Sequence, residues 1–420
     1  MTLTDTRDSF DAAERLSAAG VELELGGHHA DTLAAADVIV TSPGVPIEQP
    51  VFDDARRRRV EIIGELEFAW RWLTGRVIAI TGTKGKSTTT TLIGRMLDAA
   101  GRKVMVGGNI GTPLSAQVDE STSDTLHVVE TSSFQLETTT TFHPWIAVWL
   151  NFAEDHLDRH PTVEAYAAAK ARIFANQDSS DWAVLNADDA EVLQRARAAG
   201  AQRALFSLEG AAGDGFVVDG DWIVRRTGTK VDRLIPLSAV ELTGRHMLNN
   251  VLAAAAASHL AGVQADAMVE ALRGFHGLPH VMEPIGEVRG VRFVNDSKAT
   301  NVEAARRSIE SFDRGVVAII GGRYKGGEFR ELREPLAARG RAAIAIGESA
   351  ARVREALAGA VPVIDARSMR DAVARGYEAA RPDGVVLLAP ACSSFDWFRD
   401  YAERGEVFRE EVQRLRQHEQ

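Results

Sequence analysis

The stretch Val77-Ile-Ala-Ile80-Thr81-Gly82-Thr83-Lys84-Gly85-Lys86-Ser87-Thr88-Thr89-Thr90 decides how this chain is read. A short β-branched run enters a glycine- and lysine-rich loop, and a hydroxyl-rich run leaves it. This is the pattern of a buried strand turning into a helix. Glycines let successive backbone N–H groups point at phosphate oxygens, and the following helix adds the positive end of its dipole. Gly82, Thr83, Lys84, Gly85, Lys86, Ser87 and Thr88 are therefore the candidate nucleotide cradle. Lys86 is placed to reach the β and γ phosphates, and the Ser87 hydroxyl to ligate Mg²⁺. The loop is shorter than the general phosphate-binding pattern, because Ile80 stands where the first glycine is expected. The competing reading is a tight strand-to-helix turn with exposed lysines.

Outward from the loop, short apolar runs alternate with Ala-rich helical stretches, which predicts α/β domains with parallel sheets. Strands are expected at 37–40, 60–63, 103–106, 126–129, 146–150 and 182–185. Short strands with Gly/Asp turns fill 206–235, and an alanine-rich helix spans 250–261. The turn at Thr74-Gly75 and the glycines and proline of 274–279 mark two boundaries, dividing the chain into 1–74, 75–279 and 280–420. Five further apolar runs (291–294, 316–320, 343–346, 361–364 and 385–388) predict a doubly wound sheet in the last part.

At 420 residues the chain exceeds one ordinary core. No apolar run approaches the roughly 20 residues that span a bilayer, and Met1–Asp5 has no signal-peptide pattern. The single cysteine, Cys392, excludes an intrachain disulfide framework and fits a reducing, cytoplasmic location. A formal charge of −11 argues against non-specific nucleic-acid binding, yet leaves room for a local phosphate nest. The basic run Arg56–Arg59 reads as a solvated helix end.

Three further groups carry chemistry. Glu130, ending an apolar run before Thr131-Ser132-Ser133-Phe134-Gln135-Leu136-Glu137, is either a Mg²⁺ ligand or a helix cap. Asn151–His160 sets two histidines among three acids, either a metal site or a polar loop. Lys170, within the Ala-rich stretch Tyr166–Arg172, reads on its own as a surface residue. Near the C-terminus, Asn295-Asp296-Ser297-Lys298-Ala299-Thr300-Asn301 and Gly321-Gly322-Arg323-Tyr324-Lys325-Gly326-Gly327 each follow a strand. Two such loops at consecutive strand ends predict an anion site at the sheet's carboxyl edge. Cys392 is read as a buried small side chain rather than a nucleophile.

Taken together, the phosphate loop, Gly107-Gly108-Asn109-Ile110-Gly111, Glu130–Glu137, Asn295–Asn301 and Pro390-Ala-Cys-Ser-Ser-Phe-Asp396 give a chain that resembles the Mur ligases from about Asp5 to Phe408. The Ser-Ser-Phe-Gln-Leu-Glu and Asn-Asp-Ser-Lys-Ala-Thr-Asn strings resemble the D-glutamate-adding branch. The resemblance implies three domains: a truncated Rossmann-like UDP-binding domain, a central P-loop ATPase domain and a C-terminal Rossmann-like domain for the incoming amino acid. It implies amide-bond formation through an acyl phosphate, with ATP, UDP-N-acetylmuramoyl-L-alanine and D-glutamate as substrates, by a monomer without membrane insertion.

By the same resemblance, Lys86, His156, Lys170 and Lys298 are catalytic. Ser87, Glu130, His156 and Lys170 hold two Mg²⁺ ions, Lys170 being carbamylated. Asn250 lies beside adenine and Asp296 contacts the nucleotide. Asn109 and Ser132 line the muramoyl-peptide end. Thr300, Lys325, Ser394 and Tyr401 join Lys298 in the acceptor pocket, and Thr6, Arg7, Ser42, Pro43 and Gly44 meet the uridine end.

Several positions depart from the family pattern. A strand and glycine turn expected ahead of Thr4 are not in this sequence, which predicts weak binding of the UDP-linked substrate unless the true start lies upstream. Val281 replaces an arginine that contacts ATP phosphate, Tyr324 an acid, and Met247 an asparagine near adenine. The other readings are a different amide ligase of this architecture, Mur-type or folylpolyglutamate-type, and a catalytically weak nucleotide-binding homologue.

Overall fold

The computed structural model describes residues 1–10, 12–156, 159–210, 213–242, 244–324 and 326–419. It divides into two compact units, Met1–Phe275 and His276–Gln420.

The first unit opens with two parallel pairs, β1 (Thr2–Asp5) with β2 (Glu22–Leu25) and β3 (Val38–Thr41) with β4 (Glu61–Gly64). The helix Glu65–Trp70 follows directly, and its Glu67 side chain is fully buried. There the carboxylate accepts hydrogen bonds from the backbone of Thr140, Thr141 and Phe142, from both threonine hydroxyls and from Arg71.

A nine-stranded sheet forms the rest of the unit. Its strands are β5 (Arg76–Thr81), β6 (Val104–Gly108), β7 (Leu126–Glu130), β8 (Ile146–Trp149), β9 (Trp182–Asn186), β10 (Gln202–Ser207), β11 (Gly215–Asp219), β12 (Trp222–Thr227) and β13 (Lys230–Pro236). They lie in the order β13-β12-β11-β10-β9-β8-β5-β7-β6, parallel except at β12 and β13. The order puts β5 between β7 and β8, so the loops that leave these three strands share one carboxyl edge. That is where ligands bind in parallel sheets. All five residues of β7 and all four of β8 are buried, as continuous apolar runs covered on both faces should be.

The second unit holds β14 (Glu283–Val288), β15 (Val291–Asn295), β16 (Val316–Gly321), β17 (Gly340–Ile346), β18 (Val363–Asp365) and β19 (Val385–Leu388). Their order is β14-β15-β19-β16-β17-β18, with only β14 antiparallel. Val316, Ala318 and Ile320 pack with Ile309, Leu332 and Val353, while Val317 and Ile319 pack with Val373, Tyr377 and Phe408. Alternate residues of one strand thus serve two apolar layers, and the sheet is doubly wound as expected.

The strands the sequence does not announce are β1, β2 and β14, and β10 begins four residues ahead of the expected 206–235. Thr2–Asp5 and Glu22–Leu25 are short and mix acids with leucines, and β14 contains Pro284 and Gly286 flanking a register shift. Residues of these types are depleted in strands and tolerated at edges. The alanine-rich helix also begins earlier than expected, spanning Arg245–Leu260.

Candidate functional site

The phosphate loop is built as the sequence predicts. β5 ends at Thr81, and the helix Lys86–Ala99 starts after Gly85, whose φ of 83° suits glycine. A Cβ on Gly85 would lie 2.2 Å from Asn250 Oδ1, so the Asn250 side chain packs directly against the loop. Ser87 is half-buried in the first turn of the helix, and Thr88 is buried.

A residue not singled out from the sequence holds the loop's shape. Asn151, just past β8, accepts from the backbone N–H groups of Thr83 (3.1 Å) and Lys84 (2.9 Å) and donates to the Lys84 carbonyl (3.0 Å). The Thr83 hydroxyl donates to Ala153 O, accepts from Ala153 N and lies 3.3 Å from the Tyr166 hydroxyl. The available sequence signal was an amide immediately after the buried run Ile146–Leu150.

Lys86 Nζ donates to Gly82 O (2.9 Å) and Thr83 O (3.1 Å), and Lys170 Nζ donates to the same Gly82 O (2.9 Å). Lys170 is 1% exposed, which corrects the reading of it as a surface residue. The Ala-rich helix Val163–Ala171 that carries it is packed inward, and its Nζ lies 4.7 Å over the Tyr166 ring. Burial drives its pKa well below the ordinary lysine value and neighbouring Lys86 adds to this, while Asp155 and Glu130 oppose it.

Glu130, the last residue of β7, is 2% exposed. Its Oε1 accepts from Asn109 Nδ2 at 2.7 Å; its Oε2 is buried without a hydrogen-bond partner among the described residues. The helix-cap alternative fails, because Ser132 caps the helix Ser133–Leu136 in a capping box with Gln135. A buried carboxylate with one oxygen unsatisfied, beside a loop shaped for phosphate, suits a hard cation.

The histidines of the third group have different surroundings. His160 is buried with Nε2 2.9 Å from Ser133 Oγ, whereas the His156 side chain is 46% exposed. His156 has a φ of 55°, and its ring packs on Phe134 (5.0 Å) and Tyr166 (6.1 Å).

Thr6 and Arg7 follow β1, Arg7 being paired with Asp5 at 2.6 Å, and Ser42, Pro43 and Gly44 follow β3. In the second unit, Asp296, Lys298 and Thr300 leave β15, and Ser394 lies in the loop after β19. Asp296 is buried, its carboxyl pushed up by desolvation, and accepts from Met282 N and the Ser308 hydroxyl. Tyr401 opens the helix Tyr401–Glu419 with its ring 6.3 Å from His280. Arg404, 1% exposed, binds Ser297 Oγ, Ser297 O and Cys392 O and thereby ties both loops to this helix. Cys392 is fully buried, as read from the sequence. Lys325 lies outside the described residues; on the same loop the Tyr324 hydroxyl donates to Gly327 O and Arg352 stacks on the Tyr324 ring at 4.5 Å. Met247 Sδ is 3.9 Å from Asn250 Nδ2.

Comparison with known proteins gives the family of the chain. Residues 1–64 match the Mur ligase MurD-like N-terminal domain, 80–258 the Mur ligase middle domain and 282–392 the Mur ligase glutamate ligase domain. The UDP-N-acetylmuramoylalanine--D-glutamate ligase of Acidobacterium capsulatum is 45% identical over 417 residues, covering 98% of this chain and 90% of that protein. The protein of the same name from Salinibacter ruber is 44% identical, covering 96% and 90%. Among solved structures, the UDP-N-acetylmuramate-alanine ligase of Thermotoga maritima aligns with a TM-score of 0.56 at 17% identity, covering 99% of this chain and 93% of that one. A pseudomurein peptide ligase from Methanothermus fervidus aligns with a TM-score of 0.55 at 18% identity, covering 99% and 94%. These two structures share the fold. With the phosphate loop, the buried Glu130 and the near-full-length relatives in agreement, the chain belongs to the Mur ligase family.

Proposed function

We propose that this protein is an ATP-dependent ligase that adds D-glutamate to UDP-N-acetylmuramoyl-L-alanine, in peptidoglycan precursor synthesis. The observation that carries the reading is Glu130, held by Asn109 through one oxygen and unsatisfied at the other, beside a glycine cradle that admits no side chain at Gly85. The UDP-substrate carboxylate attacks the γ-phosphorus of ATP, giving an acyl phosphate and ADP. The amine of D-glutamate then adds to the acyl carbon and loses a proton, and phosphate leaves as the amide forms.

The chain's own groups divide this work. The loop N–H groups and Lys86 hold the phosphates, and Asn151 keeps the loop in shape. Mg²⁺, when bound, neutralises charge on the phosphate oxygens in both the ground and transition states. Ser87 and Glu130 are assigned to one ion, and His156 and Lys170 to a second. A buried amine with a depressed pKa retains the lone pair needed to add to CO₂. Loss of one proton then leaves a carbamate, an oxygen ligand suited to Mg²⁺. Lys298, Thr300, Lys325, Ser394 and Tyr401 are assigned to D-glutamate, and Asn250 and Asp296 to the nucleotide. Thr6, Arg7 and Ser42–Gly44 are assigned to the uridine end, and Asn109 and Ser132 to the muramoyl peptide.

The test is phosphate release with UDP-N-acetylmuramoyl-L-alanine and ATP, with D-glutamate, L-alanine or a diamino acid as acceptor. Stimulation by D-glutamate alone is expected. Stimulation by another acceptor instead would make this a different ligase of the family, and ATP binding without any acceptor-stimulated turnover would defeat the enzymatic reading.

A further inference from the structure

We propose that His127 is a positioning residue: a directional run of hydrogen bonds from the Thr74–Gly75 backbone through Ser121 and the imidazole orients Gln117, whose amide packs against the glycine loop carrying Asn109 and so steadies the Asn109–Glu130 pair. The proposal rests on the assignment of Glu130 to a Mg²⁺ ion.

The chain begins at Ser121, between the turn Leu114–Glu120 and β7. Its hydroxyl oxygen accepts from the N–H groups of Thr74 and Gly75, both at 3.1 Å. With both lone pairs engaged, the one hydroxyl proton is left for His127 Nε2, 2.8 Å away. Nε2 is therefore an acceptor, and a neutral ring must carry its proton on Nδ1. Nδ1 lies 2.8 Å from Gln117 Oε1 and donates to it. The tautomer follows from the direction of the first bond and is not a free choice.

That bond also sets the Gln117 amide. With Oε1 turned to His127, Nε2 packs against Gly107 without a hydrogen-bond partner among the described residues: a Cβ there would lie 2.4 Å from Gln117 Nε2 and 2.1 Å from Thr112 O. Both His127 and Gln117 are buried, at 0% and 1% exposure, so the network has no solvent to substitute for a lost partner. The loop it backs is closed by Gly108 N donating to Thr112 O at 2.9 Å. Asn109 at its tip donates from its backbone to Glu130 O (2.9 Å) and from its side chain to Glu130 Oε1 (2.7 Å). The side-chain bond engages Oε1 and leaves Oε2 for a cation. Gln117 thus supports from behind the loop that orients the carboxylate.

A satisfied core histidine would contribute stability alone, so the test needs a readout that packing does not move. Mn²⁺ serves as a paramagnetic substitute for Mg²⁺, its affinity measured by electron paramagnetic resonance in the presence of ADP. Outer partners of metal ligands typically change affinity by 10- to 100-fold, and His127 acts one step further out, so His127→Phe and Gln117→Met should weaken Mn²⁺ binding by about three- to tenfold. His127→Gln, whose amide can accept from Ser121 and donate to Gln117, should restore it to within about twofold. Unchanged Mn²⁺ affinity in His127→Phe would overturn the proposal, whatever the thermal midpoint does. Glu130→Gln is the control: if that variant binds Mn²⁺ as the wild type does, the assignment of Glu130 has failed rather than the role of His127. Should His127→Phe not fold, nitrogen-15 NMR of the wild-type imidazole decides. The Nδ1–H tautomer at neutral pH is expected, and the Nε2–H tautomer refutes the chain of bonds.

Discussion

Lys86 and Lys170, from two different helices, donate to one carbonyl oxygen, that of Gly82, at 2.9 Å each. Two lysine nitrogens converging on one acceptor disfavour the charged form of the buried Lys170, whose pKa burial and Lys86 drive well down. The convergence becomes intelligible when the neighbourhood is read as a place for anions, with Glu130 and Asp155 both acting on Lys170.

The two lysines should therefore separate on mutation. Lys86→Ala should weaken ADP binding by about tenfold or more and abolish turnover. Lys170→Met should lower turnover by about a hundredfold, within the range for lost electrostatic groups. Replacing this buried polar group by an apolar one of similar length should raise the thermal midpoint of the protein, which calorimetry without ligand would register. A lower midpoint in Lys170→Met would mean that the amine is a structural prop.

Asn151 is the test of the loop's internal bracing. Asn151→Ala takes the side-chain partner from the Lys84 N–H and the Lys84 carbonyl, while the Thr83 N–H keeps its 3.2 Å bond to the residue-151 backbone carbonyl. The KM for ATP should rise by about tenfold, about the worth of the neutral hydrogen bonds lost. An unchanged KM for ATP would show that the loop keeps its shape without the amide.

Glu67 predicts a stability effect without a direct catalytic one. Burial acts to raise its pKa, but the threonine hydroxyls and backbone N–H groups of Thr140 and Thr141 outweigh it and hold the carboxyl at about 2. Because the folded value lies below the ordinary 4.5, the stabilisation is complete above that pH and is lost as pH falls towards 2. Glu67→Gln leaves several donors facing an amide N–H₂ and should cost about 3 kcal/mol in urea unfolding at neutral pH. The variant should also lose the wild type's acid dependence between those values.

His127 gives a second, distinct window. Burial, with a smaller contribution from Lys103, lowers its pKa from 6.5 to about 4. The unfolded chain then binds more protons between these values, so stability is whole above pH 6.5 and declines as the pH falls to about 4. Lys103 itself donates to Glu120 O and Thr122 Oγ1, and Asp124 accepts from the same threonine hydroxyl. Urea unfolding of wild type and His127→Phe from pH 7 to 4 should show a slope in the former of up to about 3 kcal/mol in total, flattened in the latter. Parallel curves would assign the slope to other groups.

Local chemistry by itself determined the core of the fold and the phosphate loop. β-branched runs such as Val77–Ile80, Val316–Ile320 and Val385–Leu388 can satisfy their apolar side chains only in a covered sheet. Glycine and lysine after Ile80 announce a strand-to-helix turn in the same way. What the sequence could not supply was which distant residues meet. Lys170 has the local signature of a surface lysine, and only the inward packing of its helix brings it to Gly82. Asn151 is a polar residue after a strand until the order β8-β5-β7 sets it beside Thr83 and Lys84. His127 reads as one more strand residue until Gln117, from the preceding turn, and Ser121, just after it, fix its tautomer. Local propensity is written along the chain, whereas burial and hydrogen-bond direction are properties of neighbours that the sheet order brings together, and on these the chemistry of Lys170, Glu130 and His127 depends.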